Sequence, residues 1–131
     1  MSVSGGASAG DGGEPTVLFV DDQQDLLEVF ELTLGRDYDV RTASDGEEAL
    51  DRFGDHVDLV FLDRRMPGRH GDDVLKQVRD RGYDTPVVMM SAVDPEIEPP
   101  AEHAAYLTKP VDTDVLRDLI EEHATTDETN T

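Results

Sequence analysis

The sequence predicts a doubly wound α/β domain, a five-stranded parallel sheet with helices on both faces. Three observations predict it. Short β-branched or apolar runs alternate with stretches of helical periodicity over about 110 residues, and parallel strands need such crossover connections, nearly always right-handed. The runs at 57–62 and 86–90 are almost continuously apolar, the pattern of strands covered on both faces. Four of the five runs then stop at a polar group, namely Asp21 with Asp22, Asp63, Ser91 and Lys109. Those strand ends converge on one edge, where open parallel sheets bind their ligands.

The elements follow in order. Residues 1–14 hold five glycines with Ser, Ala and Asp and no apolar periodicity, so a disordered leader is expected there. The domain spans 15–123. Thr16, Val17, Leu18, Phe19 and Val20 form the first strand. From Gln24, the residues Leu26, Leu27, Phe30 and Leu34 recur on one helical face, with Glu28 and Glu31 outward and Gly35 near the end. Asp39 to Ala43 is a short second strand; Ser44 or Asp45 caps a helix carrying Ala49, Leu50 and Phe53, and Gly54 stops it. The central strand, Val57 to Leu62, ends at Asp63, and Pro67, Gly68 and Gly71 turn the chain into a helix. Asp72 or Asp73 opens that helix; Val74, Leu75 and Val78 face inward, Lys76, Arg79 and Arg81 outward, and Gly82 ends it. Pro86 to Met90 closes on Ser91, Ala104 to Leu107 leads to Lys109 and Pro110, and Asp112 starts a last helix with Val115, Leu116, Leu119 and Ile120. A frayed tail is expected over 124–131.

Composition narrows the function. One domain with a real core fits 131 residues. With no cysteine there is neither a disulfide framework nor a thiolate metal site. No apolar run approaches the ~18 residues that span a bilayer, and a cytoplasmic protein is expected. Asp and Glu number 31 against 11 Lys and Arg, a formal charge of -20. Such a chain repels phosphate backbones, which argues against direct nucleic-acid binding. Only Lys76 and Lys109 are lysine. Abundant carboxylate with scarce lysine fits a cytoplasm of molar salt, and the fold is expected to loosen at low salt.

Three carboxylates at one edge repel one another unless a cation neutralises them. An all-oxygen donor set without His or Cys favours a hard ion such as Mg²⁺. Asp21, Asp22 and Asp63 supply three negative charges; Mg²⁺ and Lys109 would restore three positive ones. An Asp carboxylate so placed can attack phosphorus, with metal and ammonium stabilising the transferring oxygens.

The joint pattern resembles the receiver domain of two-component response regulators. It is carried by Asp21-Asp22 after the first strand, Asp63 followed by Met66-Pro67 and Gly71, Ser91-Ala92 after the fourth strand, and Tyr106-Leu107-Thr108-Lys109-Pro110. The acidity and the run DRRMPG further resemble receivers of halophilic archaea. The resemblance implies a flavodoxin-like strand order of 2-1-3-4-5 and a phosphorylation-dependent switch. It implies that Asp63 is the phosphoacceptor and that Asp22, Asp63 and the backbone carbonyl of Arg65 bind Mg²⁺ directly, with Asp21 acting mainly through water. It further implies that Lys109 pairs with the phosphoryl group, that Ser91 and Tyr106 are the switch pair, and that the Lys109-Pro110 peptide is cis. The phosphoryl group would come from a sensor histidine kinase or a histidine phosphotransfer protein, the receiver itself supplying the catalytic site rather than acting as a conventional enzyme. A monomer or weak dimer is expected.

Two features depart from the family. Residues 93–103 carry Pro95, Pro99 and Pro100, so the fourth helix is expected to shrink to a turn or loop. Arg64 and Arg65 beside Asp63 read either as a solvated basic patch or, for Arg65, as a group that controls entry of water or donor. His56, His70, His103 and His123 lack ligand spacing and read as surface residues. Tyr38 and Tyr83 read as packing. The competing function is a metal-dependent small-molecule phosphatase or phosphotransferase with an aspartyl-phosphate intermediate. It would need a second acid two residues after Asp63, where Arg65 stands, and an insertion for a lid. A phosphorylation-independent interaction module is the third reading.

Overall fold

The computed structural model describes residues 14–54, 56–66, 70–92 and 105–124. Its five strands are β1 (Thr16–Val20), β2 (Asp39–Ala43), β3 (Leu59–Asp63), β4 (Val87–Ser91) and β5 (Ala105–Thr108). The described helices are α1 (Gln24–Leu34), α2 (Gly46–Arg52), α3 (Gly71–Asp80) and α4 (Thr113–Ala124). The strands form one sheet in the order β2-β1-β3-β4-β5, every pair parallel. This is the flavodoxin-like order, with the chain reversing direction across the sheet between β1 and β3. The leader at 1–13, the tail at 125–131, residue His103 and the segment at 93–103 where a shortened fourth helix is expected lie outside the described residues.

Alternation along the buried strands sends side chains to two cores. Leu18, Val20, Val60, Leu62 and Met89 pack with Ala49 and Leu50 of α2 and Val74, Leu75 and Val78 of α3. Val17, Phe19, Phe61, Val88 and Met90 pack with Leu27, Phe30 and Leu34 of α1 and Leu116 and Ile120 of α4. Within the second core Phe19 stacks on Phe61 at 4.9 Å and meets Phe30 at 4.6 Å, offset geometries that aromatic pairs prefer.

Boundaries move by one or two residues for identifiable reasons. Strand β3 starts at Leu59, not Val57, because the Val57 N–H is taken by the Gly54 carbonyl in a turn, and pairing with β1 begins only where the Asp58 N–H reaches the Thr16 carbonyl. Helix α2 ends at Arg52, two residues before Gly54; Phe53 is extended and turns its ring against Tyr83. The N-cap of α2 is Asp45, whose carboxylate accepts the Glu48 N–H at 2.8 Å, while the Glu48 carboxylate reaches one residue past the cap and accepts the Ser44 N–H at 2.8 Å, a shifted form of the capping box. Helix α3 starts at Gly71, its first turn closed by the His70 carbonyl. Strand β4 starts at Val87, since Pro86 has no N–H to give and offers only its carbonyl, to Val60. Asp112 opens α4 as its cap: its carboxylate accepts the Asp114 N–H and its carbonyl the Leu116 N–H. Arg79 does not point outward; it donates to the carbonyls of Tyr83 and Thr85 and holds the turn in which Gly82 adopts φ +92°.

Six of the eleven cations are committed to ion pairs within the molecule: among the described residues Arg41, Arg52, Arg64, Lys76, Lys109 and Arg117 each face a carboxylate within ion-pair distance. Arg117 joins α4 to the end of α1 through Asp37 and the Thr33 carbonyl, and the Tyr38 hydroxyl donates to Glu121 beside it at 2.7 Å. Burial first, and the Glu121 carboxylate second, push the Tyr38 phenol up to about 12. Among the described residues no helix is long and apolar enough to cross a membrane.

Candidate functional site

The site is built where β1 and β3 end. In the parallel register Val20 lies beside Leu62 and Asp63 beside Met90, so Asp21, Asp22 and Asp63 emerge at the same edge. Asp21 is fully buried, Asp63 is 4 % exposed and Asp22 faces solvent. Each offers a carboxylate oxygen within 4.8 Å of the others. The Asp21 carboxylate also accepts the Gln23 N–H at 2.9 Å, which fixes the turn into α1. The Asp63 carboxylate is approached by the Arg65 N–H at 3.4 Å.

Lys109 closes the site from β5. Its backbone N–H donates to the Ser91 carbonyl, continuing the β4–β5 pairing past Thr108, and the following Lys109-Pro110 peptide is cis. The ammonium donates to Asp21 at 2.9 Å and stands 3.4 Å from Asp63. Burial alone would depress its pKa, but the two carboxylates outweigh burial and raise it. One ammonium does not balance the cluster. Burial first, and the neighbouring Asp21 charge second, push Asp63 up to about 6, against the pull of Lys109 and the Arg65 N–H. The donor set is oxygen only, compact and left with excess negative charge, which fits a hard divalent cation at the Asp21, Asp22 and Asp63 cluster.

Ser91 ends β4 and is buried. Tyr106, on β5 beside Met89, is half-buried against the core shared with α2 and α3. The structure therefore brings Asp21, Asp22, Asp63 and Lys109 into direct proximity, with Ser91 at the same edge and Tyr106 one strand further along the sheet. Arg65 is exposed. The solvated patch fails for Arg64, which is buried and forks onto the Asp72 carboxylate at 3.1 and 3.0 Å. Alternation carries the signal: Arg64 lies two residues after core-facing Leu62, on the face that α3 covers. Gly71 was legible only as a turn residue. A Cβ there would sit 2.4 Å from the Asp63 carbonyl oxygen, so its small size is what lets α3 begin directly against the end of β3.

The fold and edge define a class, a doubly wound α/β protein whose strand ends gather carboxylates and one ammonium around an aspartate. Comparison with known proteins makes the assignment specific. Residues 17–121 match the response regulator receiver domain, and the chain belongs to that family of signalling domains. It is 48 % identical over 113 residues, 83 % of this chain, to a Haloferax volcanii protein named "Putative transcriptional regulator". The chain spans only 19 % of that relative's length. Among solved structures, the chemotaxis protein CheY4 of Vibrio cholerae superposes with a TM-score of 0.76 at 28 % identity, over 85 % of this chain and 99 % of that one. The response regulator TrrA of Thermotoga maritima, solved with Mg(2+)-BeF, does so with a TM-score of 0.73 at 29 % identity, over 82 % and 97 %.

Proposed function

We propose that this domain is a phosphorylation-dependent switch in which Asp63 accepts a phosphoryl group from a phosphohistidine of a sensor kinase or phosphotransfer protein. The observation that carries the reading is the placement of the Lys109 ammonium between Asp21 and Asp63 beside a three-carboxylate cluster. An Asp63 oxygen forms the new bond to phosphorus as the P–N bond of the donor breaks, and the imidazole leaves and takes up a proton. Lys109 offsets charge on the phosphoryl oxygens. The Ser91 hydroxyl is the group on β4 that would donate to them. Asp22, Asp63 and the Arg65 carbonyl would hold Mg²⁺, which when bound supplies the positive charge that lets donor and acceptor approach. The phosphoryl group adds a charge of about -1.5 to -2, and Ser91 and Tyr106 carry that change to the surface. The switch works in the cytoplasm as a monomer or weak dimer, with the domain at 15–123 flanked by a polar leader and tail.

The test is mass spectrometry of the protein in molar KCl with Mg²⁺ and acetyl phosphate, beside Asp63→Asn. The wild type should gain one phosphoryl group, about 80 Da, and Asp63→Asn should not. No gain on protein that is folded and binds Mg²⁺ refutes the reading and leaves a phosphorylation-independent module.

A further inference from the structure

Arg64 follows the proposed phosphoacceptor, and its main chain is held on both sides. Its N–H donates to the Met90 carbonyl at 2.8 Å and its carbonyl accepts the Gly71 N–H at 2.7 Å. Consecutive strand residues diverge to opposite faces, so the side chain leaves the carboxylate cluster and enters the core face shared by α2 and α3. There the guanidinium, 7 % exposed, forks onto Asp72 in the first turn of α3. Tyr106, paired with Met89 across β4 and β5, packs on that same core face, and its hydroxyl is a second hydrogen-bond partner of the guanidinium. A buried guanidinium is tolerated only when its donors are matched, and here two partners from two other elements share one planar group. A planar fork with fixed donor directions fixes the direction of its acceptors as well.

We propose that Arg64 is a positioning residue for the switch, a three-way tie whose guanidinium sets the orientation of Tyr106 and makes it answer to movement at the end of β3. The inference rests on the proposed role of Tyr106. A displacement of the main chain at Asp63 moves Arg64 with it, and Arg64 cannot move without releasing or dragging the Tyr106 hydroxyl. Lysine could keep the charge at this position but not both bonds.

The test uses the full chain labelled with 3-fluorotyrosine, which gives one fluorine resonance for each of Tyr38, Tyr83 and Tyr106; Tyr106 is assigned by its loss in Tyr106→Phe. The probe for activation is Mg²⁺ with beryllofluoride. Arg64→Gln should move the Tyr106 resonance before any addition. It should also change the midpoint of the beryllofluoride titration about threefold or more, the effect of one hydrogen bond. Tyr106→Phe should change that midpoint by a similar factor, and the double variant no further. Arg64→Lys should behave as Arg64→Gln does. An unmoved resonance, factors that multiply in the double variant, or full rescue by lysine overturns the tie. A wild type that ignores beryllofluoride refutes the proposed function instead, while the Tyr106 resonance of the metal-free variants still decides the tie. Where Arg64→Gln does not fold, the Arg64 Nη–H protons are followed by hydrogen exchange in Tyr106→Phe, since Nε–H is held by Asp72; acceleration of about threefold or more supports the tie, and an unchanged rate overturns it.

Discussion

Replacing Gly71 by alanine tests how closely the site depends on the meeting of β3 and α3. The added Cβ would lie 2.4 Å from the Asp63 carbonyl oxygen, 2.9 Å from the Arg64 Cα and 3.1 Å from the Asp63 carbonyl carbon. All three are main-chain atoms, so no rotamer change relieves the contact. Restoring ordinary contact at the tightest of them requires a relative shift of about 1 Å between the strand end and the helix. Overpacking of this kind costs about 1–3 kcal/mol, while alanine in a helix returns at most about 1 kcal/mol. Contacts that are all main chain put the cost in the upper part of that range, about 2–3 kcal/mol, so the net loss is about 1–2 kcal/mol, a fall in Tm of roughly 4–8 °C for a domain this size. Because the shift falls on Asp63 itself, phosphoryl uptake from acetyl phosphate should slow by on the order of 10²-fold. Gly82→Ala is the control. Its φ of +92° is strained for alanine but nothing lies within 4 Å, so it should cost about 1 kcal/mol and leave uptake unchanged. Circular dichroism melts and intact mass in molar KCl read both quantities. A Gly71→Ala protein with wild-type Tm and wild-type uptake would refute the close-contact argument.

Other expectations follow from the same contacts. Asp63→Asn removes one of three crowded charges, so in chelator it should stabilise the protein by on the order of 1–3 kcal/mol, and Mg²⁺ should narrow the gap; a less stable variant in chelator would count against the repulsion. Asp45→Ala deletes the α2 cap to Glu48 and should cost about 1 kcal/mol in urea unfolding without altering phosphorylation. Tyr38 has its folded pKa raised to about 12 from 10.0, so the stability it contributes is complete below pH 10 and is lost as pH rises toward 12; melts should show wild type losing more than Tyr38→Phe across that window. With a net charge of -20, Tm should fall when KCl is lowered from molar to about 0.1 M, where screening reaches only ~10 Å, and a Tm independent of salt would refute the halophilic reading.

The fold was legible because its strands are short apolar runs that end abruptly in chemistry. Asp63, Ser91 and Lys109 were visible as polar stops in apolar sequence, and parallel topology alone brings such stops together. What escaped were features that depend on three-dimensional approach. Arg64 and Arg65 are chemically identical neighbours, and only pleating separates a buried fork on Asp72 from an exposed chain. Gly71 carries no periodicity signal, since its role is the absence of a Cβ against the Asp63 carbonyl. Val57 looked like strand because it is apolar and buried, yet its N–H closes a turn instead of a ladder. Arg79 looked like an outward cation because helical period does not show that its long stem folds back to two carbonyls.

The commitment of cations to internal pairs bears on how fast this protein can find others. With Arg41, Arg52, Arg64, Lys76, Lys109 and Arg117 engaged within the chain and 31 acidic residues against 11 basic ones, the charge shown to an approaching molecule is predominantly carboxylate. At molar salt that field dies within about 3 Å, so neither attraction of a basic partner nor repulsion of an acidic one acts before contact. Encounter then proceeds near the unsteered rate of about 10⁵–10⁶ M⁻¹s⁻¹, and discrimination among partners falls to shape and apolar contact after collision.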